Sequence, residues 1–250
     1  MSGHSKWSSI KHKKAAADAK RGKIFSRLGK EITLAAREGG GDADMNPRLR
    51  TAIDTAKNAN MPNDNIERAV KKGTGELGGA ALEEMSYEGY APGGVAVYVS
   101  CLSDNRNRTA ANIRSYFTKH NGNLAESGSV SWMFNRKARF MLENADEETV
   151  LELLLEAGVE TADTTAMDGD IEILAAPEEF NAIADAVREA EVKVSESGID
   201  YIPDNTVEVG AADAAKKIVR MIEEIEEDDD VQQVYTNLDI PDEIAEEIED

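Results

Sequence analysis

The 250 residues carry 28 Lys or Arg against 49 Asp or Glu, a formal charge of −21, and 41% of them are hydrophobic. That composition suits a soluble chain of one large domain or two to three small ones, and no apolar run approaches the roughly 18 residues that a membrane span needs. The single cysteine, Cys101, excludes an internal disulfide and fits a reducing compartment; with no apolar signal-peptide core at the N-terminus, the expected location is the cytoplasm.

Charge is unevenly spread. The first thirty residues hold nine Lys or Arg and one acid, Asp18, a local +8, so the other 220 carry −29. A basic arm on an acidic body approaches a polyanion by one end only, because the phosphates that attract the arm repel the body. Residues 1–12 show no periodicity and read as a mobile arm. From about Ala15 the pattern turns helical: Ile24, Phe25, Leu28, Ile32, Ala35 and Ala36 fall on one face, with Lys20, Lys23, Arg27, Lys30 and Arg37 opposite as an outward basic stripe. Gly39-Gly40-Gly41 ends this helix. Asn46 as N-cap and Pro47 at the first helical position announce a second, with Leu49, Ala52, Ile53 and Ala56 inward. A third starts near Asn63 or Asp64, where Asp64 and Glu67 have capping-box spacing, and stops at Gly73.

Composition changes after the glycine-rich stretch Gly73 to Gly79. Alternating Val95, Val97 and Val99 predict a strand over 94–102. Asp104 is expected to cap a helix over about 106–120, and 129–134 reads as the next strand. Then come a strand at 138–142, a helix at 147–157, strands near 160–164 and at 170–174, a helix at 177–190 and a strand at 192–201, the βαββαβ order of a ferredoxin-like sandwich. A last βαβ follows: strand 206–209, helix 211–226, strand 231–236. Pairing it with the first βαβ makes a second ferredoxin-like domain with the complete one inserted. The expected fold is thus α+β in three domains: a basic helical bundle over 1–72, a linker over 73–86, a discontinuous α/β domain over 87–135 plus 204–240, an inserted α/β domain over 136–203, and an acidic tail over 241–250.

The strongest candidate site is the arm and first helix. Lys6, Lys11, Lys13, Lys14, Lys20, Arg21, Lys23, Arg27 and Lys30 can neutralise phosphates, Trp7 can stack on an unpaired base, and His4 with Ser5 and Ser8 can hydrogen-bond sugar or phosphate, with His12 a further candidate for the same surface. The bland alternative is a solubilising tail, for which an acidic protein has little need. A second candidate is Asp104-Asn-Arg-Asn-Arg-Thr109, where Arg106 and Arg108 at a helix start either bind an anion or pair with acids of the body. His4, His12 and His120 lack metal-ligand spacing. With no nucleophile elbow, P-loop or HExxH either, neither a catalytic residue nor a cofactor or metal is expected.

Gly3-His-Ser-Lys-Trp7, Ile10-Lys-His-Lys-Lys14, Asp18-Ala-Lys-Arg-Gly-Lys-Ile-Phe25, Asn60-Met-Pro62, Asn65-Ile-Glu-Arg68, Tyr87-Glu-Gly-Tyr90, Pro92-Gly-Gly-Val95, Asp104-Asn-Arg-Asn-Arg-Thr-Ala110 and Gly128-Ser-Val-Ser-Trp-Met-Phe134 together closely resemble the signature of the YebC/PmpR family. That family includes the mitochondrial translational activator of cytochrome c oxidase. One departure is Ala43, where the family often has Pro. The resemblance implies a helical domain followed by two α/β domains and a non-enzymatic regulator of gene expression. Some members look like DNA-binding transcriptional regulators; others act in translation at the ribosome, helping synthesis past difficult stretches. The expected partners are therefore nucleic acid, as DNA or as ribosomal RNA or tRNA, and the ribosome, with no membrane and no small-molecule substrate.

Overall fold

The computed structural model describes residues 19–78, 81–159, 161–167 and 169–249. Three helices come first: α1 (Ala19–Gly39), α2 (Pro47–Asn58) and α3 (Asn63–Gly73). Ile32, Ala35 and Ala36 of α1 meet Leu49, Ala52 and Ala56 of α2, with Met61, Ile66 and Ala69 completing the core. Small residues dominate this list, so the helix axes approach closely. Asn46 both caps and ties: its side chain accepts from Leu49 N at 3.1 Å while its amide donates to Ala35 O and Gly40 O, each at 2.8 Å. The first turn of α3 differs from the expected capping box, since Pro62 stands at the N-cap and no side chain caps the helix.

At the other end of α3, Gly73 lies against the backbone of α1. A Cβ there would overlap Thr33 O and come within 2.7 Å of the Ala36 Cβ. Neither neighbour is the free end of a flexible chain, so Gly73→Ala must push α3 away from α1. The expected cost is about 1–3 kcal/mol, and a thermal melt should show Tm about 5 °C lower; an unchanged Tm would contradict this tight crossing.

The chain continues as β1 (Glu83–Tyr90), β2 (Ala96–Ser103), α4 (Arg106–Lys119), β3 (Asn123–Leu124), β4 (Phe134–Leu142), α5 (Glu147–Glu156), β5 (Asp163–Met167), β6 (Asp170–Ala175), α6 (Phe180–Glu189) and β7 (Val194–Pro203). After these come β8 (Val207–Glu208), α7 (Ala212–Glu226), β9 (Val231–Thr236), β10 (Leu238–Asp239) and α8 (Asp242–Glu249). By internal contacts Asn135–Ile202 is one compact unit, and the other described residues form a second.

In the unit Asn135–Ile202 the sheet order is β5-β6-β4-β7. Counted along its own strands this is second, third, first, fourth, the ferredoxin-like arrangement that the βαββαβ order predicts. Phe140 stacks on Phe180 at 4.8 Å between ring centroids, in a core completed by Leu142, Val150, Ile173 and Ile183. The larger unit has the order β3-β1-β2-β9, every neighbouring pair antiparallel. It fills the same four places, but the third is taken by β1, which precedes the rest in sequence. Ile113 and Phe117 of α4 and Ile218, Ile222 and Ile225 of α7 pack with Val97, Val99 and Cys101 of β2.

Several expectations are corrected here. Residues 83–86, read as linker, belong to β1, which pairs with β2 from Glu83↔Ser103 to Tyr90↔Ala96. The strand expected at 206–209 is the two-residue β8, paired in parallel with β10 outside the main sheet. Residues 131–133 form a 3-10 turn rather than a strand, and the strand proper begins at Phe134. The tail read as acidic contains α8, whose Ile244, Ala245 and Ile248 pack on the larger unit's core. Gly89 within β1 has a packing reason, because a Cβ there would overlap the Phe117 ring.

Candidate nucleic-acid interface

Arg27, Lys30, Leu34 and Arg37 recur at helical spacing along one face of α1. Over residues 27–34 this face docks on the sheet-bearing part of the same unit, which corrects the outward basic stripe read from periodicity at Arg27 and Lys30, whereas Arg37 is exposed. Leu34, 1% exposed, packs with Leu82 and Leu102. Arg37 donates to Leu82 O, and Arg27 donates to Glu226 O at the C-terminal end of α7. A cation at a helix C-terminus meets the negative end of the dipole and its unpaired carbonyls. Burial nonetheless pulls the Arg27 guanidinium below its ordinary value, with Glu226 and Asp229 opposing; its Nε has no partner among the described residues.

Lys30 is held by three acceptors. Its ammonium donates to Leu102 O at 3.0 Å, Asp229 O at 2.7 Å and Asp230 Oδ1 at 3.1 Å. Asp230 is the hub of the contact, with a side chain only 5% exposed. Its Oδ2 accepts from Arg108 Nε at 3.1 Å, Arg108 Nη2 at 2.7 Å and Thr109 Oγ1 at 2.9 Å. Burial alone would push this carboxyl up, but hydrogen bonds from Arg108, Lys30, Thr109 and Ser103 outweigh it and hold the value at about 2. Asp228 next to it accepts from Asn112 Nδ2 at 2.8 Å and Tyr116 OH at 3.1 Å. Burial first, then Asp228, raises the Tyr116 phenol to about 12. The acidic run after α7, most simply read as solvated charge, is thus a receptor for two helices.

The predicted residues therefore part company. Arg27, Lys30 and Arg108 are brought together, but around protein carboxylates and carbonyls. At the start of α4 the cap is Asn105, which accepts from Arg108 N at 3.0 Å, and not the expected Asp104, which instead accepts from the Arg108 guanidinium at 3.0 Å. For Arg108 the ion-pair alternative describes the structure. Arg106 is exposed and has no ion-pair partner among the described residues. Lys23 lies farther along the docking face of α1; burial and Arg27 lower its ammonium, with Glu227, Asp229 and Asp228 opposing. Lys20 and Arg21 fall in the first turn of α1. His4, Ser5, Lys6, Trp7, Lys11, His12, Lys13 and Lys14 lie outside the described residues.

One cationic set was absent from the sequence-based candidates. Arg68, Lys71 and Lys72 stand at i, i+3 and i+4 on α3, all exposed and without an ion-pair partner among the described residues. Lys72 borders a cleft of about 590 Å³ that is also lined by Lys30, Arg108 and Asp228. The spacing was legible; cations in a last helical turn read most simply as complements to the dipole, which hides a second use.

Comparison with known proteins bears on the whole length. The TACO1/YebC N-terminal domain matches residues 5–76, and the TACO1/YebC second and third domain matches residues 82–238. A protein of Dictyoglomus turgidum named "Probable transcriptional regulatory protein" is 50% identical over 251 residues, covering 99% of this chain and all of its own. One of Halothermothrix orenii with the same name is 52% identical over 252 residues, covering 99% of both chains. The crystal structure of a conserved hypothetical protein from Aquifex aeolicus superposes with a TM-score of 0.86 at 47% identity, over 95% of this chain and 98% of that one.

Proposed function

This chain belongs to the TACO1/YebC family, and from that membership together with the geometry above we propose that it is a non-enzymatic regulator of gene expression that contacts nucleic acid through its basic N-terminal region. The observation that carries the reading is the placement of charge. The docked part of α1 engages Arg27 and Lys30 within the protein, so the reading places phosphate contacts on the arm, the first turn of α1 and the exposed side of α3. The rest of the molecule is strongly acidic and turns a polyanion toward that end. Lys6, Lys11, Lys13, Lys14, Lys20, Arg21, Arg68, Lys71 and Lys72 supply the phosphate contacts, and Trp7 stacks.

Names of relatives support a role in transcription. A second reading, a ribosome-associated factor without sequence-specific DNA binding, is favoured by the makeup of α3. Its exposed cations are phosphate-contacting Arg and Lys interspersed with Asp64 and Glu67, a poor face for reading a major groove. One experiment separates these. The intact protein and a form lacking residues 1–14 are titrated with structured RNA, duplex DNA and purified ribosomes over a salt series. Losing the four lysines of the arm should flatten the slope of log affinity against log salt by about 3–4 on the nucleic acid that the arm contacts. RNA or ribosome binding well above duplex DNA supports the translational branch, and sequence-selective duplex binding supports the transcriptional one. Equal affinity and equal slope for the two forms overturns the assignment of the arm.

A further inference from the structure

Two of the motifs singled out in the sequence, Tyr87-Glu-Gly-Tyr90 and Gly128-Ser-Val-Ser-Trp-Met-Phe134, serve neither the docking face of α1 nor the basic end. In the structure they meet. Glu88 projects from β1 and is 3% exposed, a costly place for a carboxylate. What it does there is gather backbone: Oε1 accepts from Gly128 N at 2.8 Å, and Oε2 accepts from Val130 N at 2.7 Å and Ser131 N at 2.9 Å. Tyr90, two residues on along the same strand, donates its hydroxyl to Ser129 O at 3.0 Å. Gly128 supplies the positive φ of +89° that the turn needs. The loop is thereby pinned at four consecutive residues from one strand.

At the end of that loop stands Trp132, 70% exposed. Its indole Nε1 donates to Ser129 O at 3.1 Å, the carbonyl that Tyr90 also holds. The polar edge of the ring is thus used internally, the ring orientation is set before any partner arrives, and what remains on offer is the π-face. A pre-set aromatic loses little rotamer freedom on binding. Its neighbours in the chain are Ser131 and Met133, both half-buried, and Val130 is fully buried. Among the described residues the other large exposed apolar side chains, Ile24, Met45, Leu77, Leu151 and Leu155, are in other segments. An aromatic anchor for a protein partner sits in a wider patch of exposed apolar side chains that excludes water; a fixed ring without such a patch among the described residues suits a flat, polar-edged ligand.

We propose that Trp132, on the loop held by Glu88 and Tyr90, is a stacking platform for an unpaired base of RNA. The inference rests on the nucleic-acid reading above and adds to it a second contact point, one that takes a base rather than a phosphate. Duplex DNA exposes no base face to such a ring, whereas loops, bulges and single strands of RNA do.

The chain has two tryptophans, so the full-length Trp7→Phe protein reports Trp132 alone by fluorescence. It is titrated with a single-stranded oligoribonucleotide and with duplex DNA. Saturable quenching by the RNA and none by the duplex are expected. In the otherwise unaltered protein, Trp132→Ala should bind the RNA about tenfold more weakly with the same salt slope and the same Tm, and Trp132→Phe should recover most of the loss. RNA bound with unchanged Trp132 emission, and with Trp132→Ala as tight as the parent, overturns the platform while leaving the nucleic-acid reading standing. Equal quenching by duplex DNA also overturns it. An intact protein that binds no RNA overturns both.

Discussion

Replacing Asp230 by Ala should lower Tm by about 10 °C. Asp230 gathers Lys30 from α1 and Arg108 and Thr109 from α4, and with it gone the Lys30 ammonium and the Arg108 guanidinium lose their shared counter-charge. Arg108 is half exposed and keeps Asp104, and Lys30 keeps two carbonyls, so the loss is that of the hydrogen bonds the buried Asp230 carboxylate accepts, about 2–4 kcal/mol. For a chain of this size each kcal/mol moves Tm by about 2–4 °C. Hydrogen exchange should quicken along residues 27–37 of α1, whose docking depends on the same hub. The pH dependence has a definite sign. The Asp230 value is depressed from 3.8 in the unfolded chain to about 2 in the folded one, so its contribution is fully present above about pH 4 and lost as pH falls from 4 toward 2. Wild-type melts should show that acid loss and Asp230→Ala should show less of it. A variant within about 1 °C of wild type at pH 7 would mean that water replaces the carboxylate at little cost.

Glu88→Ala should cost about 3 kcal/mol and loosen one loop selectively. Three backbone N–H groups converge on this carboxylate, and each buried donor left unpaired costs about 1–3 kcal/mol, less where water enters the space vacated. Amide exchange at Gly128, Val130 and Ser131 should rise far above that of neighbouring β2. Glu88→Gln keeps the shape but turns an N–H₂ toward backbone donors, so it should recover only part of the loss. Burial pushes the Glu88 carboxyl up, yet the three backbone donors more than reverse this and leave it below its ordinary value. Stability from this group is therefore present above the unfolded pKa and fades as pH falls through the folded one, a fade absent from both variants. Uniform exchange across the loop in Glu88→Ala and the parent would rule out its role as the loop's anchor.

Elements whose signals are local could be read from sequence. Asn46-Pro47 announces α2 because an N-cap and a first-turn proline act within four residues, and the alternating Val97 and Val99 announce β2 because the pleat has period two. The failures are long-range. Within Glu83–Tyr90 the Phe117 ring that requires Gly89 lies far along the chain, beyond any local signal. Residues 129–134 looked like a strand because nothing nearby says that Glu88 takes the backbone donors a strand would use. The basic stripe of α1 was correct as a periodicity and misplaced in space, since its partners lie 199 and 200 residues away. Charge in one segment reports what it can attract, and only the fold reports whether it has already been answered.

That separation along the chain has a consequence for how the molecule is made. The sheet receiving α1 takes its edge strand β9 from residues 231–236, and the hub of the docking contact precedes it by one residue. At a synthesis rate of about 5–20 residues per second, some 10–40 s pass between Lys30 and Asp230. Throughout that interval the nascent chain carries Arg27 and Lys30 without their acceptors at residues 226–230, beside the polyanionic machine that is making it. Arg27 and Lys30 find their acceptors only once residues 226–230 have been made, so the charge that α1 offers changes late, long after the helix itself exists.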